Sequence, residues 1–169
     1  MDSISEERLK KVHPELAAKV LTMAALLAQE GILLRVVQGL RTWGEQALLY
    51  AKGRDWNGNV VDEAAVVTNA PPGHSWHEFG LAVDVCPIKF LNLKDWGVGR
   101  PEWTRVVEVG ESLGLYSGSR FVHPKPDWPH FQFTGTLPIS PNEDVRVAYK
   151  EGGVFKVWDA AGLSSTKTG

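Results

Sequence analysis

Residues 73–85 read Gly-His-Ser-Trp-His-Glu-Phe-Gly-Leu-Ala-Val-Asp-Val, and the second half of this stretch decides the architecture. Leu81 to Val85 is a short apolar run that Pro87 closes, so it reads as a strand. Side chains alternate along a strand, which puts Ala82, Asp84 and Cys86 on one face and Val83 and Val85 on the other. The valines suit a core, so Asp84 is aimed away from it. A carboxylate inside an apolar run needs a partner, because burying an isolated charge is very costly. A metal ion is such a partner. Gly80 permits a sharp bend just before the strand, and His77 stands on the other side of that bend.

Working outward, Pro14 fits the first turn of a helix. Leu16, Val20, Met23 and Leu27 then recur at helical spacing as far as Glu30, with Gly31 as the stop. Ile32 to Gln38 is rich in branched apolar residues and predicts a buried strand broken by Gly39. A second helix is expected from Thr42, as N-cap, to about Lys52. Residues 54–75 carry Gly, Asn and Pro punctuation and predict a long loop, with VDEAAVV able to form a short helix. Downstream, residues 102–113 suit a helix, GLYSGSRF leads toward a strand, and His130 to Phe133 alternates like a short strand. After Thr134, VRVAYKEGGVFKVW fits either a hairpin around Gly152-Gly153 or two short helices, and SSTKTG reads as a frayed tail. Helices and strands alternate irregularly, which favours an α+β fold with a small antiparallel sheet. The expectation is one domain over residues 1–169, with a core over about 8–133 and a C-terminal extension over 134–169.

Composition narrows the function. The 169 residues carry 18 Lys+Arg against 20 Asp+Glu, a formal charge of -2, so no global attraction to nucleic acid or anionic membrane is expected. Cys86 is the single cysteine, which excludes an intramolecular disulfide framework. No apolar run reaches the length of a membrane span. The polar start, MDSISEERLKKVHPEL, lacks the apolar block of a secretory signal. Cytoplasmic synthesis is therefore expected, with release by lysis or a holin if the work lies outside. Of the seven tryptophans, most are expected in the core.

Four of the five histidines fall in two segments, GHSWHEFGLAVDV and FVHPKPDWPHFQF. In the second, Asp127 precedes His130 by three residues and Pro129 stiffens the link. Two histidines and one carboxylate are a common ligand set for catalytic zinc, with a fourth position left to water. A second carboxylate that does not ligate can take the proton from that water. The candidates are His77, Asp84 and His130 as ligands and Asp127 as base. The zinc helix motif HExxH is absent, since Leu81 stands four residues after His77.

Ser75 to Asp84 matches the SxHxxGxAxD signature of the zinc D,D-carboxypeptidase and L-alanyl-D-glutamate endopeptidase family, which the chain resembles over residues 8 to 133. The resemblance implies that His77, Asp84 and His130 bind zinc, within a fold shared with the hedgehog signalling domain. Asp127-Trp128-Pro129-His130 is similar to the family's later element, with Asp where many carboxypeptidases have Glu, and the Asp form looks like the phage endolysin branch. Gly39-Leu40-Arg41-Thr42, followed by Gln46, is similar to a third block and gives Arg41 the role of polarising the scissile carbonyl. A guanidinium stays charged at any working pH and stabilises an oxyanion.

Ser75 and Gln46 are candidate substrate contacts, with turn-shaping and helix-bracing as their structural alternatives. Arg41 has a structural alternative in a salt bridge with Glu45. His74 and His123 match no ligand position, and Cys86 reads as a small buried thiol. His13 before Pro14 is structural. The expected function is a zinc-dependent hydrolase of peptidoglycan stem peptides, an endolysin-like L-alanyl-D-glutamate endopeptidase acting as a monomer. The alternatives are a D-alanyl-D-alanine carboxypeptidase or dipeptidase and a non-catalytic wall-binding module.

Overall fold

The computed structural model describes residues 1–122 and 125–163. Its first helix, α1 (Ser3–Leu9), has no counterpart in the apolar periodicity, because only Ser5 and Leu9 of it are buried. It forms for a tertiary reason. Strand β1 (Leu34–Gln38) is the outer strand of the sheet, and α1 covers its open edge. The Val36 N–H donates to Ser5 Oγ at 2.9 Å, and Arg8 Nη1 donates to the Val36 carbonyl at 2.6 Å. An unpaired strand edge is thereby blocked.

Helix α2 (Pro14–Gln29) follows the expected stripe, burying Leu16, Val20, Met23 and Leu27. His13 caps it, its Nδ1 accepting from the Glu15 N–H, and sits edge-on to Trp158 at 4.8 Å, which makes His13 structural. Helix α3 (Trp43–Ala51) starts at a capping box in which Thr42 and Glu45 satisfy each other's backbone donors. Of the long loop, Glu63–Ala65 forms one 3-10 turn, within the VDEAAVV segment.

The sheet continues with β2 (Ala82–Pro87), β3 (Tyr116–Ser117) and β4 (His130–Gln132), in the order β1-β2-β4-β3 with every pairing antiparallel. Val83 and Val85 are fully buried in the main core beside Phe131, while Asp84 on the opposite face is half-buried, as alternation requires. Helix α4 (Pro101–Ser112) packs Trp103, Val106 and Val107 into the same core.

After Thr134 the helical alternative holds. Helix α5 (Glu143–Ala160) is broken at Gly152 and Gly153, which leave helical geometry. Its two halves bury Val145, Val157 and Trp158 against Trp76, Phe79 and Leu81, just behind the signature turn. Trp158 Nε1 donates to the Phe79 carbonyl at 2.8 Å. The C-terminal segment thus props the turn that carries His77. The SSTKTG tail and His123 lie outside the described residues. Among the described residues no helix is long and apolar enough to cross a membrane.

Candidate active site

Three elements bring the site together. A 3-10 turn at Trp76–Phe79 presents His77 and ends at Gly80, whose φ of 67° reverses the chain into β2. On β2, Asp84 pairs in register with His130 of β4. That register carries His130 from 46 positions downstream to the neighbouring strand. His77 Nε2 lies 3.2 Å from Asp84 Oδ1, and His130 Nδ1 lies 3.4 Å from the same oxygen. One ligand atom from each of the three residues falls within 4.8 Å of the others.

The far nitrogens of both rings are occupied. His77 Nδ1 is 2.9 Å from the Gly39 carbonyl, which can only accept, so Nδ1 carries a proton and Nε2 is the nitrogen that faces Asp84. His130 Nε2 is 3.0 Å from Gln132 Oε1, leaving Nδ1 free toward Asp84. Gln132 is itself fixed by donating to the Ile139 carbonyl at 2.9 Å. This is the outer arrangement that orients imidazoles for a metal. The donor set of two imidazoles and a carboxylate therefore fits a zinc ion.

Charges around the cluster respond to one another. Burial pushes the Asp84 carboxyl up, but the two imidazoles outweigh it and hold it below the usual carboxylate range. Burial pulls His130 down, and the Asp84 and Asp127 carboxylates outweigh that and raise it. Asp127 is raised, first by crowding from protein and then by the Asp84 charge. Asp127 is exposed, yet it lies near enough to Asp84, His130 and His77 to respond to their charges. Gly118 allows this approach. The Asp127 N–H donates to the Gly118 carbonyl at 2.8 Å, and a Cβ at Gly118 would fall 2.5 Å from the Asp127 carbonyl and 2.8 Å from His130 Cβ.

Arg41 closes the other side. Its backbone N–H donates to the His77 carbonyl at 3.0 Å, and Nη2 lies 3.9 Å from Asp84 Oδ2. It does not pair with Glu45, which is engaged in capping α3. Gln46 is fully buried and braces the guanidinium instead. Ser75 is half-exposed at the start of the signature turn. His74 is exposed, 3.5 Å from Arg146, away from the ligand cluster. Cys86 is packed in the core, and burial raises its thiol to about 11, so it stays protonated.

Sequence reasoning missed Gln132 and Glu78. Gln132 alternates with His130 on β4, a spacing that offered a signal. Glu78 is buried and accepts from the Gly73 N–H with both oxygens, at 2.8 and 2.9 Å, and from the Ser75 N–H at 3.1 Å. It ties the loop to the signature turn, and its place three residues after Ser75 is the spacing of a capping box, a signal that could have found it.

Residues 9–134 match the model of the VanY family, described as D-alanyl-D-alanine carboxypeptidase. The chain belongs to this family of peptidoglycan-hydrolysing metallopeptidases. The matched span includes His77, Asp84 and His130, together with Asp127 and Arg41. Among curated proteins the chain is 31% identical to the peptidoglycan L-alanyl-D-glutamate endopeptidase CwlK of Bacillus subtilis, over 78% of this chain and 75% of that one. The fold is also shared with proteins of known structure. One is the L-Ala D-Glu endopeptidase ChiX of Serratia marcescens, at TM-score 0.51 and 24% identity, covering 79% of this chain and 89% of that one. Another is the vancomycin-resistance D,D-pentapeptidase VanY in complex with Zn(II), at TM-score 0.55 and 15% identity over 86% and 83%.

Proposed function

We propose that this VanY-family protein is a zinc-dependent endopeptidase that cleaves the L-alanyl-D-glutamate bond of peptidoglycan stem peptides, working as one domain. The observation that carries the chemistry is the convergence of His77 Nε2, His130 Nδ1 and Asp84 on one point, with both outer imidazole nitrogens already occupied. Bound zinc supplies a Lewis acid that acidifies water and polarises a carbonyl. Asp127, raised by its surroundings, is suited to accept the proton of the attacking water and hand it to the leaving amine. Arg41, fixed by Gln46, stabilises the negative charge that grows on the amide oxygen. Ser75 at the rim is a substrate contact in this reading, whereas Gln46 acts through Arg41.

The choice of bond is supported by the similarity to CwlK, whose name states that cleavage, and by Asp at position 127 where many carboxypeptidases carry Glu. Recognition of the wall then rests on the cleft. An endolysin-like deployment, with release by lysis or a holin, belongs to the same reading.

Digestion of purified peptidoglycan, with new termini identified by mass spectrometry, tests the bond. New N-terminal D-glutamate is the expected product. Free D-alanine would identify a carboxypeptidase instead, and intact wall material in the presence of zinc would identify a binding module.

A further inference from the structure

A groove of about 460 Å³ opens against Asp127. One wall is the turn that carries Trp96 and Val98, and the other is the segment Lys125 to Pro129, with Trp128 between base and ligand. The turn is held under tension. Asp95 and Trp96 have φ of 53° and 51°, the two non-glycine residues in the left-handed region among the described residues. Such conformations are costly and persist where surrounding structure enforces them, often at ligand sites. Here Trp103 Nε1 enforces it, donating to the Trp96 carbonyl at 3.0 Å from the buried face of α4.

The groove's position fixes which part of a peptide enters it. Asp127 delivers a proton to the leaving amine, so the residue bearing that amine lies on the Asp127 side. Under the endopeptidase reading, on which this inference rests, that residue is D-glutamate. It is joined to the next residue through its γ-carboxyl, so its α-carboxylate is free and sits on the same carbon as the leaving amine. Lys125 lines the groove two residues from Asp127, is exposed, and makes no ion pair among the described residues. Its charge is felt at the Asp127 carboxyl, which it draws downward against the stronger raising influences. The other acid of the groove, Asp95, belongs to the other lining segment and forms no ion pair with Lys125 among the described residues.

We propose that Lys125 is a specificity-determining residue that receives the free α-carboxylate of the residue on the leaving-amine side. It distinguishes D-glutamate from D-isoglutamine, in which that carboxylate is an amide. The amide keeps a similar shape but lacks the charge, so the discrimination is electrostatic.

The test compares kcat/KM of the zinc-loaded full chain on two synthetic stem peptides that differ only in that group. The wild type should prefer the acid by about five- to tenfold, the effect of one charge-assisted contact. Lys125→Ala should bring the ratio close to one, and Lys125→Arg should retain most of it. Any change in Asp127 caused by losing the lysine charge acts on both peptides and cancels in the ratio. Equal rates on both peptides in the wild type, or an undiminished preference in Lys125→Ala, would overturn the proposal. Cleavage of neither peptide is a different result: it removes the endopeptidase reading itself, and the assignment of Lys125 falls with it.

Discussion

Gln46 holds Arg41 from inside the protein: its Oε1 accepts from Arg41 Nη1 at 2.7 Å, while its Nε2 donates to the Ala70 carbonyl at 2.7 Å. A guanidinium that must meet a developing oxyanion gains from being fixed beforehand. Gln46→Ala should therefore lower kcat by about tenfold, with a smaller change in KM. It should also cost about 1–3 kcal/mol in urea unfolding, since Ala70 loses a buried partner. A kcat equal to wild type would contradict the bracing role.

Gln132 plays the corresponding part for His130. Gln132→Leu removes the group that occupies His130 Nε2, so the ring is free to turn or to change tautomer. Zinc affinity should fall by about 10- to 100-fold, measured by competition with a chromophoric chelator. Undiminished affinity would mean that packing alone orients the ring.

Asp127 responds to the charges of Asp84, His77 and His130 without being one of the three converging donors. Asp127→Ala should retain zinc in elemental analysis and lose at least about a hundredfold in kcat, the usual scale of general acid–base contributions. Near-normal turnover by that variant would refute its assignment as the base.

Asp2 offers a pH test of the fold remote from the site. Burial raises its carboxyl, but the Ser5 N–H and Arg35 outweigh this and lower it from 3.8 to about 2. Its folded pKa is below the unfolded value, so its stabilisation is present above about pH 4 and is lost as pH falls toward 2. Asp2→Ala should cost about 1 kcal/mol at neutral pH, the usual worth of a helix cap. The gap to wild type should narrow as urea titrations are repeated from pH 5 down to pH 3. A constant gap would show that the loss comes from packing.

The parts that were legible in the sequence share a property: they are local patterns that survive into the fold. Alternation along Leu81–Val85 placed the valines inward and Asp84 outward, and the alternating segment that begins at His130 forms the expected short strand. The parts that were not legible depend on partners far away in sequence. Helix α1 shows no apolar stripe because its task is to cover the edge of β1 with Ser5 and Arg8. Helix α5 hid behind Gly152-Gly153, which suggests a hairpin as readily as a broken helix. Gln46 looked like a residue facing the cleft because Ala70, the group that pins it from behind, lies 24 residues on.

In the proposed mechanism His77, Asp84 and His130 together hold one zinc ion. Isothermal titration of zinc into the metal-stripped protein, alongside His77→Ala and Asp84→Ala variants shown by circular dichroism to be folded, tests it most directly. One equivalent bound by the wild type and a loss of that binding in both variants is the predicted result. Full binding by folded Asp84→Ala, or no binding by the wild type, would contradict it.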